Sequence, residues 1–337
     1  LALQQSPTKS LCSIKQLFLV SNFFIVFPSV IQAVKKIRLG TRSSQLARWQ
    51  AEWTAAQLRQ LGIQVEIVFI ATQGDQLAGS LQNSTERGLF TKRIQQSLLA
   101  DEIDLAVHSL KDLPTDPIPG LALAAVPRRE LPDDVLVSRD HVSLVDLPRG
   151  AHVGTGSWRR QSQLLNFRDD LQVRDIRGNV DTRLKKLDQG EYDAIVLAYA
   201  GLHRLGLAER ITEKLPYQIL LPAVGQGALG LETRTDDTAT RECVAQLNDA
   251  DTWASVTAER AMLFTIGGGC LAPVGAAATV TDGRVALQAR VLSQQGTERI
   301  DHSDDADMAE AQGLGEQVAE ALNRLGAQSL LAAARQH

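Results

Sequence analysis

Arginines gather where strands hand over to helices. In Gly154–Arg160 (GTGSWRR) the glycines let a ligand approach the backbone, Ser157 supplies a hydroxyl, and Arg159 and Arg160 add guanidinium groups. A helix N-terminus presents unpaired N–H groups and a partial positive charge, so such a turn suits an anion. No G-x-x-x-x-G-K-[ST] occurs, which excludes a Walker-type phosphate loop. Arg174, Arg177 and Arg183 cluster in RDIRGNVDTR. Arg177 is expected at the C-terminal edge of a sheet, where α/β proteins bind ligands, and Arg183 in the first turns of the next helix. Arg42 holds the corresponding turn in GTRSSQLAR (Gly40–Arg48). The planar fork of arginine matches carboxylates, so ligands bearing several carboxylates are the natural partners. The plainer alternative for each turn is a capped helix with solvated arginines.

Two further places carry reactive groups. Lys111-Asp112 in HSLKDLPT follows an apolar run, and the nearby prolines fix the loop. An aspartate there can stabilise a developing cation or shuttle a proton; the alternative is a loop residue paired with Lys111. His108 just before it reads as structural. Cys270 lies in TIGGGCLAP, where three glycines carry a thiol to a domain edge. A thiolate is suited to a stable covalent link, although a small buried residue after a flexible turn is the competing reading. Cys243, in the helical stretch ATRECVAQL, reads as core packing. With Cys12 these are the only cysteines, too few and too scattered for a disulfide framework or a zinc site.

The elements that must position these groups follow from pattern. Of the 337 residues 44% are apolar and 22% charged, a globular composition at a length that calls for two or three domains. Acidic residues outnumber basic ones 39 to 35, a net charge of −4. A general nucleic-acid binder would carry a basic excess to displace counterions. From Lys35 onward strand and helix alternate. Strands are expected at Ile37–Gly40, Val65–Ile70, Ile103–Val107 and Leu121–Val126, with helices after Ser43 or Ser44 and over Phe90–Ala100. A second unit starts near Asp133, with strands Val135–Val137, His152–Val153, Val173–Ile176 and Ala194–Ala198 and helices Ser157–Phe167 and Val180–Leu187. Alternation of this kind predicts α/β lobes with mostly parallel sheets, facing one another across a cleft.

The last third changes character. A helix over Thr252–Thr265 ends at Gly267-Gly268-Gly269, and Val274–Thr281, Arg284–Leu292 and Glu298–Ile300 alternate like antiparallel strands around an Asp282-Gly283 hairpin. A helix from Met308 to Leu325 closes a small α+β domain. At the other end, the apolar run Leu17–Val34 is interrupted by Ser21, Asn22, Pro28, Ser29 and Gln32. Lys9 and Lys15 precede it, but no A-x-A cleavage pattern follows, so residues 1–34 are expected to be an extension outside the fold rather than a targeting segment.

Taken together, IRLGTRSSQLARWQA, ERGLFTKRIQQSLL, DLAVHSLKDLPT, VGTGSWRRQSQL, IRGNVDTRLKKLDQGEYDAIVLAYAGLHRLG, LPAVGQGALGLE and TAERAMLFTIGGGCLAPVG resemble the hydroxymethylbilane synthase (porphobilinogen deaminase) family, in family order from about Lys35 to the C-terminus. The resemblance implies two periplasmic-binding-protein-like α/β lobes, 35–127 plus 228–245 and 133–221, and a small α+β domain, 250–337. It implies a cytoplasmic, monomeric transferase that condenses porphobilinogen with loss of ammonia into the linear tetrapyrrole hydroxymethylbilane, then passes it to uroporphyrinogen-III synthase. It implies a dipyrromethane cofactor on Cys270 through a thioether, bound also by Lys111, Asp112, Ser157, Arg159, Arg160 and Arg183. Asp112 becomes the catalytic acid/base, and Arg42, Ser44, Arg177, Arg183 and Arg204 the substrate-binding residues. The polar stretch Gln73–Gly88 becomes a lid, where Arg87 stands at a position that is Lys in many members and Asn83 lies near another that is often Lys. The competing function is a non-catalytic two-lobed anion-binding protein, which would need neither Cys270 nor Asp112.

Overall fold

The computed structural model describes residues 36–70, 89–269 and 272–334. The extension 1–34, the lid Gln73–Gly88 with Asn83 and Arg87, and Cys270 lie outside the described residues. The first lobe runs β1 (Lys36–Thr41), α1 (Gln45–Gln60), β2 (Gln64–Phe69), α2 (Leu89–Leu99), β3 (Leu105–Ser109) and β4 (Leu121–Ala125). The chain then crosses to the second lobe: β5 (Asp134–Ser138), β6 (His152–Gly154), α3 (Trp158–Phe167), β7 (Gln172–Arg174), α4 (Val180–Asp188), β8 (Ala194–Ala198), α5 (Tyr199–Arg204) and β9 (Glu213–Lys214). It crosses back to give the first lobe β10 (Leu229–Arg234) and α6 (Thr238–Ala245).

The two sheets share one plan. Their strand orders are β2-β1-β3-β10-β4 and β7-β6-β8-β5-β9, and in each the fourth strand is reversed. The expected mostly parallel sheets are therefore mixed, and the reason lies in the crossings. Each reversed strand enters its lobe from the junction between lobes, so it begins where its neighbour ends: Asp134 pairs with Ala198 of β8, and Leu229 with Ser109 of β3. That geometry brings Asp134 to the C-terminal edge of the sheet, where it is fully buried.

Helices cover both faces of the first sheet, so its strands read as continuous apolar runs. Ala51, Ala55 and Leu58 of α1, at spacings of four and three, pack on Ile37, Leu39, Leu105 and Leu231. Burying a side chain such as Leu58 contributes about 2 kcal/mol. On the opposite face Ile94 and Leu98 of α2 meet Ile103 and Ala106.

The third unit packs α7 (Ala250–Thr265) and α8 (Ala311–Arg324) on an antiparallel sheet of β11 (Val274–Thr281), β12 (Arg284–Leu292) and β13 (Arg299–Asp307). The β11–β12 hairpin turns at Asp282-Gly283, both at positive φ, as the Asp-Gly signal requires. β13 is longer than the expected Glu298–Ile300, because its distal half, HSDDAD, is an exposed acidic sheet edge without apolar alternation. The helix expected over Met308–Leu325 begins as a 3₁₀ turn at Met308–Glu310, and after Gly326 a further helix, α9 (Ala327–Ala334), follows.

Candidate active site

The two strand-to-helix turns are built alike. β1 ends at Thr41, and Ser44 caps α1 by accepting from the Ala47 N–H at 3.4 Å. β6 ends at Gly154, and Ser157 caps α3 by accepting from the Arg160 N–H at 3.5 Å. Between the lobes lies a cavity of about 300 Å³. The first lobe contributes Arg42, Ser44, Lys111 and Asp112, and the second contributes Arg160, Arg183 and Arg204. The N-termini of α1 and α4 face the same space from opposite lobes, adding N–H groups to the cations. Lys111 and Asp112 stand on a 3₁₀ turn, Leu110–Asp112, directly after β3.

Three cations of this cavity, Lys111, Arg183 and Arg204, are partly stripped of water. Burial, then repulsion from Arg160 and Arg177, pulls Arg183 down to about 10, although Asp175 and Asp112 oppose the shift. Burial likewise pulls Arg204 down to about 10, against the attraction of Glu130. Both are held by backbone carbonyls: Arg183 Nε donates to Gly178 at 2.8 Å and Arg204 Nη2 to Gly227 at 2.6 Å. Arg204 also lies over the Trp49 ring, 5.5 Å from its centroid, an attraction that spans the cleft. Burial, followed by repulsion from Arg160, brings the Lys111 ammonium down to about 8; Asp112 and Asp134 offset part of this.

A second cavity, of about 230 Å³, adjoins the first. Its walls are the Leu110–Asp116 segment, Ser157, Arg159 and Arg160 of the second lobe, and Arg260, Gly268, Gly269 and Ala272 of the third unit. Lys111, Asp112 and Arg160 line both cavities. One cation-rich wall with one carboxylate thus separates two chambers.

Not every residue singled out from sequence stands there in the expected way. Arg159 and Arg160 are almost fully buried and grip Asp134: Arg159 Nη1 lies 2.6 Å from Oδ2, and Arg160 Nη2 lies 2.6 Å from Oδ1. Burial alone would raise Asp134, but Arg159 and Arg160 outweigh it and hold the carboxyl at about 2. Arg177 is exposed, bonds Asp175 at 2.7 Å and lines neither cavity. β7 ends at Arg174, short of the expected Ile176, so Arg177 lies beyond the sheet edge. Arg174 is exposed too and bonds Gln172. His108 is buried against Glu232 at 3.1 Å, and Cys243 sits in the core of the first lobe.

Sequence reasoning passed over Asp134, Gln226 and Glu259, all fully buried polar residues at the junction of the three units. Glu259 accepts from Arg129 at 2.8 Å and from the N–H groups of Gly225 and Ala278, tying the third unit to both crossings. The available signal was a polar residue inside an apolar run: Gln226 in AVGQGALG and Asp134 in LPDDVLV.

The dipyrromethane group implied by the sequence carries acetate and propionate arms. The structure fits it: desolvated Arg183 and half-buried Lys111 face the cavities with their charge stabilised poorly by the protein, and anionic arms would restore that stabilisation. The model of the "porphobilinogen deaminase, dipyromethane cofactor binding domain" matches residues 37–242, and that of the porphobilinogen deaminase C-terminal domain matches 253–324. The porphobilinogen deaminase of Chlorobaculum parvum is 48% identical over 304 residues, 88% of this chain and 97% of that one. The enzyme of the same name from Desulforudis audaxviator is 49% identical over 306 residues, 89% and 98% respectively. Among solved structures, a periplasmic substrate-binding protein of an ABC transporter from Coxiella burnetii overlaps with a TM-score of 0.40 and 14% identity, across 66% of this chain and 96% of that one. With its cation-lined pair of chambers and matches along nearly nine-tenths of its length, the chain belongs to the porphobilinogen deaminase family, the deaminating transferases of tetrapyrrole biosynthesis.

Proposed function

We propose that the chain joins four porphobilinogen molecules head to tail into hydroxymethylbilane, with Asp112 as its catalytic carboxylate and Cys270 as the anchor of the dipyrromethane. When bound, that group supplies the pyrrole carbon on which the chain of rings begins. Asp112 stabilises the positive charge that grows on the substrate's aminomethyl carbon as ammonia departs, and it accepts and returns the pyrrole proton. Arg42, Ser44, Arg183 and Arg204 bind the acetate and propionate arms of incoming substrate. Lys111, Ser157 and Arg160 do the same for the rings already held, and the desolvated walls strengthen each contact. Arg159 acts from behind, through Asp134. The protein works as a cytoplasmic monomer and releases its product to uroporphyrinogen-III synthase. Among the described residues no helix is long and apolar enough to cross a membrane.

One observation carries this reading. Lys111, Asp112 and Arg160 belong to both chambers, and the described neighbours of Cys270 in sequence, Gly268, Gly269 and Ala272, line the second. A mere anion binder needs neither a carboxylate among its cations nor a thiol. The test is the mass of the intact protein: a dipyrromethane adduct is expected, and it disappears in Cys270→Ser. Asp112→Ala folds and loses about 10²–10⁴-fold in turnover. Fully active protein without an adduct, or near-normal turnover of Asp112→Ala, overturns the assignment.

A further inference from the structure

Gln226 is fully buried where the chain returns from the second lobe to the first. Gly225 and Gly227 flank it at φ +70° and +84°, and a Cβ on Gly227 would stand 2.3 Å from the Glu130 carbonyl oxygen. Glycine at both places lets the backbone turn this one side chain inward. Its Nε2 donates to the Pro132 carbonyl at 2.6 Å and to Asp134 Oδ1 at 3.0 Å, and its Oε1 accepts from Lys111 Nζ at 3.4 Å. These contacts fix the amide's orientation, since a flip would set its oxygen against a carbonyl and a carboxylate and its NH₂ against an ammonium. The backbone oxygen of Gln226 accepts from Arg129 at 2.8 Å, and Arg129 is the partner of Glu259.

We propose that Gln226 is a positioning residue for the reaction: its amide couples Lys111 of the first lobe to Asp134, and through Asp134 to Arg159 and Arg160 of the second, setting the spacing of the cations beside Asp112. The inference rests on the reading of the Lys111–Asp112 wall given above. A neutral amide is the group this position requires, being donor on one side and acceptor on the other without net charge. A carboxylate would add a second buried anion beside Asp134, and an apolar side chain would leave Lys111 without this acceptor and Pro132 without this donor. The charged groups around Lys111 are Asp112 on its own turn, Asp134 from β5, and Arg159 and Arg160 from α3. Losing the amide oxygen removes a contact that favours the charged amine, whereas a carboxylate in its place favours that charge further.

The experiment measures the pH dependence of kcat/KM for holoenzyme carrying Gln226→Met or Gln226→Glu, beside melting curves of both. Gln226→Met is expected to raise KM about tenfold, with a smaller change in kcat, and to move the alkaline limb to lower pH. Gln226→Glu is expected to move that limb to higher pH. Wild-type KM and an unmoved limb in both variants overturn the proposal. So does a lowered melting temperature with the limb unmoved, or loss of the fold in both variants, either of which assigns Gln226 to the fold alone. Should only Gln226→Met fail to fold, the direction of the limb in Gln226→Glu decides. Wild-type holoenzyme that makes no hydroxymethylbilane from porphobilinogen removes the functional reading itself, whereas normal wild-type turnover with unaltered variants removes only the role of Gln226.

Discussion

Two sets of arginines stand within one cleft and are treated in opposite ways by the fold. Arg159 and Arg160 share the carboxylate of Asp134 in the interior. Arg183 and Arg204 are also desolvated, yet among the described residues neither touches a carboxylate, and their hydrogen bonds go to backbone carbonyls. The first pair has its counter-charge inside the protein: Arg159 serves as wall, and Arg160, anchored the same way, still lines both chambers. The second pair holds charge in a poorly solvating place, which becomes favourable only when an anion arrives. Side-chain type alone therefore does not identify a ligand-binding cation; the residue that answers its charge does.

The contrast can be broken most forcefully at Asp134. Asp134→Asn leaves two buried guanidinium groups sharing a neutral acceptor, and a loss of about 3–5 kcal/mol is expected. Urea unfolding reads it as a lower midpoint at unchanged slope; a loss below about 1 kcal/mol would mean the pair is not a wall. Next in size, Arg183→Leu and Arg204→Leu should each raise the KM for porphobilinogen by about tenfold, the scale of one charged hydrogen bond. Their melting temperatures should hold or rise, because a desolvated charge without a contacting carboxylate has gone. A fall like that of Asp134→Asn would erase the distinction.

Acidity sharpens the same comparison. Lys111 is brought to about 8 in the folded protein from an ordinary value of 10.5, so its charge opposes folding at neutral pH, and that opposition fades as pH rises from about 8 to 10.5. Binding runs the other way. Acidic arms favour the charged amine, so kcat/KM should fall severalfold as pH climbs through 8, with proton uptake on binding above that pH. Equal heats of binding in buffers of different ionisation enthalpy at pH 8.5 would refute this. The smallest effect belongs to Arg177. Exposed and paired with Asp175, Arg177→Leu should raise KM by less than about threefold, as surface charge does; a rise matching that of Arg183→Leu would place it in the cleft after all.

Much of this was legible from local signals. The caps at Ser44 and Ser157, the order of helices and strands and the Asp-Gly hairpin depend on residues a few positions apart, and apart from β13 the expected elements stand within a few residues of their bounds. Arg42, Lys111, Asp112, Arg183 and Arg204, all named from the sequence, line one cavity. What escaped depends on distant partners. Whether Arg159 faces a ligand or an internal anion is decided by Asp134, 25 positions earlier, whose acid at the head of an apolar strand reads as an exposed end. The reversal of β10 is decided by a chain that has left the lobe and come back. The end of β7 escaped too, since the strand stops two residues short of its apolar pattern.

The interlaced crossings bear on how the protein is made. When a ribosome has delivered residues through Ala125, β3 and β4 exist but β10, which must lie between them, does not. The second lobe, spanning Asp134 to Lys214, has every strand of its sheet first, so synthesis and completion run in different orders. Until Arg234 emerges, the nascent N-terminal half carries open strand edges on β3 and β4, the kind of surface that pairs with neighbours or recruits a chaperone.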